Sequence, residues 1–159
     1  MSAIAVIGLG NLLLGDEGFG VHLINVLKAK YTFSNNVKIV DGGTVGLPLI
    51  EHFLENDYLI FVDAIRANDH PGSIYKFNVK ELPPNITFVS SIHEIGLGDI
   101  IGHVNLMGLE KETIVIGIEP LSVCPNDLTI SLSPLMQEEL PKVENLVLEQ
   151  IKEFGGSYA

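Results

Sequence analysis

Three short apolar runs, Ala3 to Ile7, Tyr58 to Val62 and Ile114 to Ile118, lack the in-and-out alternation of a strand with one solvated face. Runs of this length, rich in branched side chains, fit strands buried on both faces of a parallel sheet. Parallel neighbours need long crossover connections, and helices usually supply them. The segments between the runs have that character. After a loop from Gly8 to Gly15, the residues Phe19, Val21, Leu23, Ile24 and Leu27 form a helical stripe, with Asp16 and Glu17 suited to its positive end and Lys28 and Lys30 to its negative end. Val37 to Val40 reads as a strand closed by the turn Asp41-Gly42-Gly43-Thr44, and Leu47 to Leu54 as a short helix. Gly72 to Phe77 fits an edge strand, and Pro83 and Pro84 break the chain before a short extended piece, Ile86 to Val89. His93 stands near the start of a helix expected to run through Ile101. Ser133 and Pro134 suit an N-cap and first helical residue, followed by the stripe Leu135, Leu140, Val143, Leu146, Val147 and Ile151, with a kink expected at Pro141. Strands alternating with helices predict a three-layer α/β/α sandwich.

A chain of 159 residues without linkers, repeats or charge blocks is expected to be one domain, residues 1–159. Its 20 acidic and 9 basic residues give a formal charge of -11, which disfavours nucleic acid and anionic membrane as partners. The longest apolar stretch, Ala3 to Leu14, is interrupted by Gly8, Gly10 and Asn11 and is too short to span a bilayer, so no membrane insertion is expected. The lone Cys124 and the absence of a signal-type start at Met1 to Ala3 point to a cytoplasmic protein, with Cys124 an ordinary thiol.

Three polar residues sit where apolar runs stop. Glu17 follows Ala3 to Ile7 and its glycine loop, Asp63 closes Tyr58 to Val62, and His93 follows Ile86 to Ile92. In an open α/β sheet, groups past the carboxyl ends of parallel strands gather in one crevice. Two carboxylates and an imidazole there could bind one metal ion. Each residue also has a plain structural use: Glu17 as a complement to the helix dipole, Asp63 as a helix cap, His93 as a hydrogen-bonded histidine. Asp41 suits an Asx turn with the glycines after it, and its place at a strand end keeps it as a further candidate. His22, His52, His70 and His103 have no such placement and read as structural or solvated. The glycine loop lies where a dinucleotide fingerprint would, but Leu13 occupies the position of its third glycine, and Asp16 and Glu17 would repel a phosphate.

Taken together, Gly-Leu-Gly-Asn at 8–11, Gly-Asp-Glu-Gly-Phe-Gly at 15–20, Asp-Gly-Gly-Thr at 41–44, Val-Asp-Ala at 62–64, His93 and Gly-Ile-Glu-Pro at 117–120 resemble the hydrogenase maturation endopeptidases. The resemblance implies a mixed, mostly parallel five-stranded sheet with helices on both faces. It also implies a substrate, the large-subunit precursor of a nickel-iron hydrogenase, from which a C-terminal extension is removed after nickel insertion. Carried over, Glu17, Asp63 and His93 match the metal-contacting trio and Asp41 the acid of the Asp-Gly-Gly-Thr turn. All four are then candidate catalytic residues, with nickel brought by the precursor and no nucleotide cofactor. The family often has Asp-Asp where this chain has Asp16-Glu17, which lengthens the second carboxylate's reach. Two other readings remain: a Rossmann-type nucleotide-binding enzyme, and a non-catalytic nickel carrier using the same trio.

Overall fold

The computed structural model describes residues 1–44, 46–89, 96–121 and 128–159. Strands β1 (Ile4–Leu9), β2 (Val37–Gly43), β3 (Tyr58–Arg66), β4 (Ile74–Asn78) and β6 (Glu112–Ile118) form a sheet in the order β2-β1-β3-β6-β4, and the two-residue β5 (Thr87–Phe88) pairs with β3 off this path. The contacts of β1 with β2 and β3, and of β3 with β6, are parallel; β4, at the edge, runs antiparallel to β6. Helices α1 (Phe19–Lys30) and α4 (Pro134–Glu153) cover one face, and α2 (Ile50–Glu55) and α3 (Leu97–Leu106) the other. Alternate residues of each central strand feed the two cores. Ile60 and Val62 meet Leu23, Ile24 and Val147, whereas Leu59 and Phe61 meet Phe53, Leu97 and Ile100. This double burial is why the runs are continuous, and each such Val, Leu or Ile stabilises by about 1.5–3 kcal/mol. No helix among the described residues is long and apolar enough to cross a membrane.

The three layers and the mostly parallel sheet agree with the expectation, but two strand ends do not. β3 does not stop before Asp63: β6 runs beside it, pairing Asp63 with Gly117 and Ala64 with Ile118, and β5 pairs with Ile65 and Arg66. Only the pairing with β1 ends there, at Gly8 and Val62. β2 likewise continues through Asp41, which pairs with Gly8, and an irregularity brings Gly43 opposite Leu9. α3 begins at Leu97, after an N-cap at Gly96 whose N–H donates to Asp99 Oδ2 at 2.9 Å. Ser133 caps α4, accepting from the Met136 N–H, and the helix continues past the exposed Pro141.

From β1 the chain passes to β2 on one side, and β3 then enters on the other. The carboxyl ends of β1 and β3 therefore flank a topological switch point, the place where open α/β sheets bind ligands.

Candidate active site

The loop after β1 leads into a single 3-10 turn, Gly15–Gly18, and then into α1. Gly20 seats this turn. A methyl group there would collide with the carbonyl oxygens of Val62 and Leu9, so only glycine lets the start of α1 lie directly on the ends of β1 and β3. Gly10, at φ +140°, has its backbone against the Glu17 carbonyl in the same way. Close packing on both sides brings the turn carrying Glu17 against β3, which carries Asp63. Both carboxylates are buried, Glu17 at 3% exposure and Asp63 at 0%. Two buried acids 46 positions apart in sequence (63 less 17) are thus carried by neighbouring elements at the switch point.

Asp16 does something different from its neighbour. Instead of serving the end of α1, its carboxylate accepts from the Leu121 N–H at 3.1 Å, the Ser133 N–H at 2.8 Å and the Ser133 hydroxyl at 2.9 Å. It therefore ties the turn to Leu121, three residues beyond β6, and to the cap of α4. Segment 128–133 is held against the loop by further bonds: Thr129 N–H to the Leu13 carbonyl and Gly15 N–H to the Thr129 carbonyl. His22 on α1 lies near the Ile130 backbone. Burial lowers its pKa below the usual histidine value, outweighing the Ile130 backbone and the nearby Asp16 charge, which both raise it.

On the far side of β3, Glu119 closes β6 and is also buried. Its Oε1 accepts from the Ala67 and Asp69 N–H groups at 3.1 and 2.9 Å, pinning the chain just beyond Asp63's strand. Asp69 in turn accepts from the Tyr75 hydroxyl at 2.8 Å; burial first, and this bond second, push the Tyr75 pKa up to about 12. Asp41 lies at the exposed rim, with Oδ1 accepting from the Gly43 N–H at 2.9 Å, so the expected Asx contact forms inside a strand end and not in a free turn.

Of the four candidate residues, Glu17 lies on the turn packed against β3, the strand that carries Asp63; Asp41 stands two strands from Asp63 at the same end of the sheet; and His93 lies outside the described residues, as does Cys124. Among the described residues no group of three His, Cys, Asp or Glu side chains is placed to hold a metal ion. The anchoring roles of Asp16 and Glu119 were missed by sequence reasoning. Glu119 carried a readable signal, since it follows a buried-type run as Asp63 was thought to do. Asp16 carried none, because its partners are more than 100 positions away.

A family model for hydrogenase maturation proteases matches residues 21–150. The hydrogenase 2 maturation protease of Escherichia coli K12 is 32% identical over 154 residues, covering 96% of this chain and 92% of that protein. The hydrogenase expression/formation protein HupD of Thiocapsa roseopersicina is 31% identical over 154 residues, covering 96% and 69%. Among solved structures, the hydrogenase-maturating endopeptidase HybD of E. coli superposes with a TM-score of 0.83 at 29% identity, covering 98% of this chain and 96% of that one.

Proposed function

This chain belongs to the hydrogenase maturation protease family, and from that premise we propose that it removes the C-terminal extension of a nickel-iron hydrogenase large-subunit precursor after nickel insertion. The observation that carries the reading is the pair of buried carboxylates, Glu17 and Asp63, delivered by separate elements to the switch point. Nickel is here part of the substrate. Glu17, Asp63 and His93 would hold it, because carboxylate and imidazole donors suit a borderline divalent ion. A metal so held polarises a neighbouring carbonyl or makes a water more acidic. The chain's own contribution is rigidity: Gly10 and Gly20 fix Glu17 against β3, and Glu119 fixes the segment beyond Asp63.

A second assignment of roles is favoured by the exposure of Asp41 at the rim. Nickel then serves as the recognition handle, and the Asp41 carboxylate activates the attacking water. Neither assignment includes a nucleotide cofactor, and titration with NAD or FAD is expected to give no binding. A pure carrier would instead take up free nickel tightly at one equivalent, which calorimetry on the isolated protein distinguishes. Cleavage of nickel-loaded precursor by Glu17→Gln, Asp63→Asn and His93→Ala variants tests the docking trio. Each is expected to lose turnover, and intact cleavage by both Glu17→Gln and His93→Ala would sink it.

A further inference from the structure

Beside the carboxylate pair lies a second feature, a pocket of about 180 Å³ between residues 14–16 and 129–133. Its volume falls below the roughly 300–1,000 Å³ of small-molecule and cofactor sites, and it suits a single side chain. Among the described residues its walls are largely apolar or uncharged: Leu14, Gly15, Thr129 and Leu132 contribute, and the one ionisable wall group is Asp16. Both Asp16 oxygens already accept bonds from Leu121 and Ser133, so this carboxylate holds the wall in shape.

Beside the lining residues in sequence, Leu13, Leu128 and Ile130 are more than half exposed, as is Leu121, which Asp16 holds. The Leu13–Thr129 ladder and the Asp16–Leu121 bond join their segments, and we call these four residues the rim. Four exposed apolar side chains on joined segments stand out on a chain of formal charge -11, and exposed apolar patches mark contact surfaces. Gly15 and Asp16 run directly into Glu17, so pocket and Glu17 are consecutive along the same turn.

We infer that this pocket and its rim bind an apolar side chain of the precursor's C-terminal segment beside the scissile bond, and so set the register of cleavage. The inference rests on the protease reading above. A negatively charged side chain is excluded, because it would approach Asp16 in a partly closed space.

The test uses full-length protein and nickel-loaded large-subunit precursor. Leu128→Glu and Ile130→Glu place charge on the rim and leave the identities of Glu17, Asp63 and His93 unchanged, and Leu106→Glu, at the end of α3, is the surface control. The rim variants are expected to bind immobilised precursor at least tenfold more weakly than wild type, with the control unchanged. A photo-reactive residue at position 130 is expected to crosslink to the precursor's C-terminal segment. Equal affinity of rim variants and wild type, or crosslinks confined to other parts of the precursor, overturns the inference. A wild-type protein that binds and crosslinks as expected yet never cleaves would remove the protease reading while supporting the pocket's occupant.

Discussion

Adjacent acids in one turn have opposite duties here. Asp16 has both carboxylate oxygens engaged by Leu121 and Ser133, which makes it a clamp, while Glu17 is buried on the turn packed against β3. Asp16→Ala removes three bonds to a charged acceptor, each worth about 1.5–3 kcal/mol singly, and urea unfolding is expected to show a loss of about 3 kcal/mol or more. Glu17→Gln keeps the shape of the side chain; it is expected to stay within about 1 kcal/mol of wild type in stability and to lose cleavage by about 100-fold or more. His22 supplies a pH signature. Its folded-state pKa lies below the usual 6.5, so the unfolded chain binds its proton more readily, and stability falls as pH drops below about 6.5. Thermal melts between pH 7 and 5 are expected to show a smaller decline for His22→Gln than for wild type.

Among the elements, α1 depends on having no side chain where it crosses the sheet. Gly20→Ala aims a methyl at the Val62 and Leu9 carbonyls, backbone atoms that have no rotamer to escape into. The helix must lift, costing about 1–3 kcal/mol and moving the turn that carries Glu17, so stability and cleavage are expected to fall together. Gly98→Ala and Gly102→Ala on α3 meet nothing within 4 Å and are expected to stabilise by about 0.5–1 kcal/mol each, read as raised urea midpoints. At this scale the sequence was informative about where strands and helices lie and poor on where they end. The apolar runs mark β1, β3 and β6 because double burial demands them. The far end of β3 is set by its neighbours β6 and β5, and no local pattern around Asp63 encodes that pairing.

At the scale of the molecule, the order β2-β1-β3 is what gathers scattered acids into a candidate site. Placing Glu17 and Asp63 together required knowing that β3 returns beside β1, a rule of α/β sheets that the alternation of runs and stripes made readable. The clamps at Asp16 and Glu119 were not readable, since they join segments that only the finished fold brings into contact. Family membership accounts for a protease, and the proposed sensing of nickel in the substrate belongs to the switch point. Mass spectrometry of the large-subunit precursor, nickel-loaded and nickel-free, after incubation with this protein measures that sensing. Loss of a C-terminal peptide from the loaded form alone is expected, and its abolition by Asp63→Asn. Equal cleavage of both forms, or no cleavage of the loaded precursor, would contradict it.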